Sequence, residues 1–276
     1  MTEATQNSPS LRQKTWISTT LMVTGMAIAM LMANALAAWP RNPVAALIIG
    51  PILAVVMIGL FSIAGQRVER RKVEEFPRRN GVRHVLVGTG LGVLMSGATV
   101  GILALFGAYT ITGWGSVSGM LAVAGMMCAV AVSEEVFFRG VVFRLLRGRW
   151  GTTVALSVSS ILFGLVHLVN PDASLWGAFA IMIEAGIMLG AAYLATGSLW
   201  LAIGVHFGWN FATTGLFGSV TSGSEARESL VTAVTSGPDW LSGGAFGPEA
   251  SIVAIVVCSV ATLVFFAVAR RRAATV

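Results

Sequence analysis

Residues 43–65 read PVAALIIGPILAVVMIGLFSIAG, 23 consecutive positions without a charged side chain. As a helix this stretch reaches about 34 Å, enough to cross a hydrocarbon layer about 30 Å thick. Comparable apolar runs lie at about 16–39, 84–108, 117–147, 151–170, 174–196, 199–218 and 250–269. The pattern predicts an all-α polytopic transmembrane bundle of about eight spans. Composition points the same way: of 276 residues 55% are hydrophobic and 11% charged, with a mean hydropathy of +0.81, whereas soluble domains carry about 25% charged residues. An ordinary soluble domain is excluded. Cys128 and Cys258 both sit in apolar runs, and no Cys-x-x-Cys pair exists, so neither a disulfide framework nor redox chemistry is indicated.

The net charge of +6 reads as topology rather than as affinity for nucleic acid. With a cytoplasmic N-terminus, eight spans place 16 of the 18 basic residues on the inner side, in clusters at 12–14, 67–83, 139–149 and 270–272, and leave Arg41 and Arg227 outside. That asymmetry is the positive-inside signal. Residues 1–15 then form a cytoplasmic tail, 16–116 the first transmembrane helices, 117–217 a core, and 218–276 an outer loop, partly re-entrant, with a last helix. Ala33-Asn34-Ala35 and Ala35-Leu36-Ala37 resemble signal-peptide cleavage sites. The apolar run before them exceeds the usual signal core of 7 to 15 residues, so a retained helix is expected.

Glu134, Glu135, Arg139, His167, Glu184 and His206 fall inside apolar segments. A Glu or Arg at mid-bilayer depth costs about 2.5 to 3.5 kcal/mol on insertion scales, so these groups need partners. Glu135 and Arg139 are four residues apart and share a helix face. Glu134 points about 100° away from Glu135. A tight turn at Gly148–Gly151 makes 117–147 and 151–170 an antiparallel hairpin. Glu134 is then level with residue 165, within about 3 Å of the depth of His167. Phe163 and His167 mark one face, and His206 and Asn210 repeat that spacing two helices later. Interhelical hydrogen bonding alone explains one buried histidine, but so many titratable groups on three helices point to a site. Glu184 lies opposite Asn210 about the Gly197 turn and reads either as a member of that site or as a partner for Asn210.

Glu134-Glu135-Val136-Phe137-Phe138-Arg139, Phe163-Gly164-Leu165-Val166-His167 and His206-Phe207-Gly208-Trp209-Asn210 resemble the Glu-Glu-x-x-x-Arg, Phe-x-x-x-His and His-x-x-x-Asn motifs of the type II CAAX prenyl endopeptidase family, also called the Abi or CPBP family of intramembrane proteases. The resemblance covers about residues 117–217 and implies an all-helical membrane hydrolase acting on membrane-associated peptide or protein substrates. It implies that Glu134 and His167 activate a water, that His206 and Asn210 hold the oxyanion, and that Glu135 with Arg139 supports them. No cofactor is needed in that scheme. A zinc-dependent version, with Glu134, His167 and His206 as ligands, remains open, because no His-Glu-x-x-His pair selects the metal. So do a non-catalytic bacteriocin-immunity or scaffold protein and a proton-coupled transporter, although the paired repeats of transporters are not seen. Sixteen Arg against two Lys fits a GC-rich bacterial genome and hence a plasma membrane.

Overall fold

The structure, a computed structural model, describes residues 11–274. The first ten residues of the expected tail lie outside the described residues, and the helix begins at Leu11 rather than Trp16. Helices α1 (Leu11–Ala38), α2 (Pro43–Arg67) and α3 (Gly81–Leu105) precede a strand, β1 (Tyr109–Trp114). Helix α4 (Val117–Glu135) runs through a π-helical segment, Val136–Phe143, into α5 (Arg144–Val166). A 3-10 turn at His167–Val169 leads to α6 (Leu175–Ile181), a second π-segment (Met182–Ile187), α7 (Met188–Thr196), α8 (Leu199–Asn210) and a third π-segment (Phe211–Leu216). Strand β2 (Val231–Thr235), α9 (Asp239–Ser242) and α10 (Ile252–Ala274) complete the chain.

Local sequence explains where these helices start. The Asn42 side chain accepts from the amides of Val44 and Ala45 ahead of Pro43, and Ser116, Ser174 and Ser198 cap α4, α6 and α8 in the same manner. Each cap satisfies backbone donors that lipid could not. Gly151, at φ 82° and ψ 176°, breaks α5 in a conformation that only glycine adopts cheaply. The chain reverses there, since the ring of Phe138 meets that of Phe163 at 4.9 Å.

Among the described residues six helices are long and apolar enough to cross a membrane: Trp16–Ala38, Pro43–Arg67, Gly81–Leu105, Val117–Val169, Leu175–Thr196 and Ile252–Ala274. The difference from about eight has two physical causes. Val117–Val169, 53 residues long, contains both limbs of the hairpin. Residues 199–216 carry His206, Trp209 and Asn210, whose polarity dilutes an otherwise apolar helix. Outward-facing side chains are apolar, with Val55 69%, Leu86 67% and Leu263 69% exposed. Polar pairs such as Ser96 with Thr213, 2.8 Å apart, are buried. This inverted arrangement suits a lipid solvent.

Helix α8 is set by close contact with α3. Gly88 and Gly92 on α3 face Gly204 and Gly208 on α8, and a Cβ at any of the four would collide with the backbone of the other helix. These are two Gly-x-x-x-Gly pairs, the small-residue seam by which membrane helices pack tightly. His206 lies between the two α8 glycines, so its backbone is held by that seam.

The segment expected as a partly re-entrant outer loop is instead a folded cap. Strand β2 pairs antiparallel with β1, with an irregularity between Ile111 and Gly113. The Tyr109 hydroxyl donates to the carbonyl of Phe217 at 2.6 Å, and burial pushes that phenol up to about 12. Trp176 donates to the carbonyl of Ala250 at 2.7 Å, docking the cap on α6.

The basic clusters gather at one end of the bundle. Arg144 makes a bidentate pair with Glu69 at 2.7 and 2.8 Å, Arg71 bridges Glu69 and Glu75, and Arg272 lies beside Gly197. At the other end of α1, Arg227 donates to the carbonyl of Ala38 and Arg41 pairs with Glu225 at 3.4 Å. Arg139 must be removed from the topology count. It is 1% exposed within the bundle, which leaves the asymmetry at fifteen to two.

Candidate active site

The adjacent carboxylates at the end of α4 face different partners. Glu135 is fully buried, and its Oε1 accepts from Arg139 Nη1 at 2.8 Å and from His206 Nδ1 at 3.0 Å. The Arg139 guanidinium also donates from Nη2 to the carbonyls of Ala185 and Gly186 at 2.9 and 3.0 Å, and stacks 4.6 Å from the centre of the Phe163 ring. One cation thereby ties α4, α5, the second π-segment and, through Glu135, α8. Carbonyls turned toward it inside a π-segment explain how a buried guanidinium finds acceptors without water.

Glu134 belongs to a separate set. Its Oε1 accepts from the side-chain amide of Asn34 on α1 at 2.9 Å. The Ser133 hydroxyl donates to Asn34 Oδ1 at 2.6 Å, which fixes the amide with its N–H toward the carboxylate. Glu134 Oε2 has no hydrogen-bond partner among the described residues and lies 3.8 Å from His206 Nε2. That gap is too long for a direct hydrogen bond. Hairpin depth predicts His167 as the partner of Glu134. The hairpin register holds to within a few residues, but the carboxylate is bonded to Asn34 and the imidazole paired with it at 3.8 Å is His206.

His167, at the junction of α5 and its terminal 3-10 turn, lines a cavity of about 660 Å³ together with Asn34, Glu134 and Asn210. Its Nδ1 lies 2.7 Å from the carbonyl oxygen of Phe163, which can only accept. Nδ1 therefore carries a proton, and it is Nε2 that accepts in the neutral tautomer. His206 has the same constraint from Glu135: with Nδ1–H committed, Nε2 donates only in the imidazolium form. The cavity mouth is ringed by Trp39, Arg41, Asn170 and Glu225, at the end of the bundle poor in basic residues.

The three π-segments start directly after Glu135, around Glu184 and directly after Asn210. Such insertions cluster at functional sites because they re-aim side chains that an unbroken α-helix would turn elsewhere. Glu184 is 1% exposed, and Glu249, which reads in sequence as a loop acid, is 2% exposed. Glu249 accepts from Trp209 Nε1 at 2.7 Å and from Ser222. Sequence reasoning missed Asn34 and Glu249. The signal for Asn34 was one amide inside an apolar helix, read there only as part of a cleavage-site pattern.

The zinc alternative names Glu134, His167 and His206 as ligands, with Glu134 Oε2 3.8 Å from His206 Nε2. Among the described residues no group of three or more His, Cys, Asp and Glu could hold a metal ion. Each imidazole has one nitrogen engaged, by the Phe163 carbonyl or by Glu135, and Glu134 has one oxygen engaged by Asn34.

Comparison with known proteins places this cluster. Nothing matches the chain among curated proteins or solved structures. Residues 116–212 match the family model described as type II CAAX prenyl endopeptidase Rce1-like. That interval contains all three motifs, whereas Asn34, Ser222 and Glu249 lie outside it. The core of this helical membrane protein is thus similar to the Rce1-like domain of type II CAAX prenyl endopeptidases, over the same residues that carry the three motifs.

Proposed function

We propose that the protein is an endopeptidase that hydrolyses peptide bonds of membrane-associated substrates, using a water activated by Glu134. The observation that carries this reading is the asymmetry of the Glu134 carboxylate. One oxygen is anchored by Asn34, while the other is unpartnered and looks across 3.8 Å to His206 beside the 660 Å³ cavity. A base must be held yet keep one lone pair free, and this geometry supports both.

A water at Glu134 Oε2 gives up a proton to the carboxylate as its oxygen attacks the peptide carbonyl carbon. His167, in the tautomer whose Nδ1–H bonds the Phe163 carbonyl, accepts at Nε2 a hydrogen bond from the same water and orients it. The oxyanion that forms takes hydrogen bonds from the Asn210 amide and from His206 Nε2–H, the latter as an imidazolium held between Glu134 and Glu135. Both donors strengthen as charge develops, which is the requirement for lowering the barrier. On collapse of the intermediate the C–N bond breaks, and the proton on Glu134 passes to the leaving amine. Glu135 and Arg139 hold His206 in register.

Purified protein in detergent is expected to hydrolyse a peptide library at an undiminished rate after chelation. One zinc per chain, lost together with activity and restored with it, would replace this mechanism by the metal-dependent one.

The fifteen-to-two charge asymmetry supports a topology with both termini in the cytoplasm and the cavity mouth on the outer face of a bacterial plasma membrane. Reporter fusions after residues 75 and 148 should therefore give a cytoplasmic signal, and one near 230 an external signal. The reverse pattern would turn the cavity toward the cytoplasm.

A further inference from the structure

Glu184 takes no part in the mechanism above, yet it is the least explained charged-type residue in the bundle. It is 1% exposed, and neither of its carboxyl oxygens has a hydrogen-bond partner among the described residues. It adjoins a cavity of about 20 Å³ that is also lined by His206, Asn210, Glu249 and Ser222. A space of that size admits a single water where polar partners converge.

The two acids at this cavity are in opposite hydrogen-bonding states. Glu249 accepts from the Trp209 indole at 2.7 Å and from the Ser222 hydroxyl at 2.8 Å, with the Ser222 amide as a third donor. Three donors are what an anion requires. Glu184 has none, and an ionised carboxylate left bare in the interior costs several kcal/mol. A neutral acid in that place needs only one acceptor for its O–H.

We propose that Glu184 is a positioning residue: as a neutral acid it donates, through the one water that this cavity holds, to the side-chain oxygen of Asn210. Asn210 has an accepting end and a donating end, and only the N–H end can stabilise an oxyanion. A donor behind the amide oxygen fixes the amide with its N–H toward the larger cavity. The backbone of Glu184 is itself held, because the next two carbonyls, Ala185 and Gly186, bind Arg139. The inference rests on the peptidase reading, in which Asn210 binds the oxyanion.

The test compares two substitutions. Glu184→Gln keeps a neutral donor and should retain turnover close to wild type. Glu184→Met removes the donor at similar volume; kcat should fall about 10- to 10²-fold with KM unchanged, as expected for a misaimed group. Thermal stability in Glu184→Met should be equal or higher, since a bare buried polar group is removed. Infrared spectra should show a protonated-acid carbonyl stretch in the wild type that is absent from both variants. Absence of that band from the wild type, or full turnover in Glu184→Met, overturns the proposal. Glu134→Gln and wild type assayed in parallel separate the failures: if Glu134→Gln abolishes hydrolysis while Glu184→Met is fully active, only the positioning role falls, and if wild type itself hydrolyses no peptide, the peptidase reading falls.

Discussion

Glu134→Gln is expected to lower peptide hydrolysis by about 10²- to 10⁴-fold, the span contributed by a positioned general base, while the protein still inserts and folds. Folding should survive because the substituted amide keeps a carbonyl oxygen for the Asn34 N–H, so the contact between α1 and α4 remains. What is lost is the basic lone pair of Oε2, the atom that has no partner among the described residues. His167→Ala should cause a loss of the same order, because the variant loses the imidazole that lines the cavity beside Glu134. Rates from purified variants, with circular dichroism as the control for folding, check both. Near-normal turnover in Glu134→Gln would remove the general-base assignment, and absence of hydrolysis in the wild type would favour a non-catalytic membrane protein.

The local parts of this site were legible in the chain, and the parts that depend on how helices meet were not. An i, i+4 spacing on one helix is enough to pair Glu135 with Arg139, and the bridge is 2.8 Å long. Gly148–Gly151 was readable as a turn, since the intervening helices are apolar and glycine permits the reversal. The depth rule then placed Glu134 near His167, but depth fixes height along the bundle and says nothing about azimuth. Rotation about the helix axes is set by the π-segments and by the seam of Gly88 and Gly92 against Gly204 and Gly208, and it brings His206 to Glu135. A π-segment leaves no periodicity signature over six to eight residues. The Gly-x-x-x-Gly pairs, by contrast, stood in plain view in the sequence. Asn34 was hidden because a polar residue among alanines fits both a cleavage pattern and a helix interior. The helix that carries His206 and Asn210 is the hardest span to read, because the site lowers the hydropathy of the very helix that holds it.

Arg139→Ala is expected to destabilise the folded protein by about 3 to 5 kcal/mol, the cost of stripping one partner from a buried ion pair. The guanidinium satisfies Glu135 and two carbonyls of the second π-segment and packs on Phe163, and alanine leaves all of these without replacement. The residual charge on Glu135 would then draw on His206 alone. Denaturant unfolding in detergent measures the loss. A second variant separates stability from function: Glu135→Leu with Arg139→Met removes both charges at similar volume and should recover much of the stability, because an apolar pair in a packed interior often does as well as a buried ion pair. Its activity should stay low. His206 would keep no acceptor for Nδ1–H, so neither the ring orientation nor the donor state of Nε2 would be held. A double variant that is both stable and active would show that the ion pair serves packing only and that His206 is aimed by the glycine seam without Glu135.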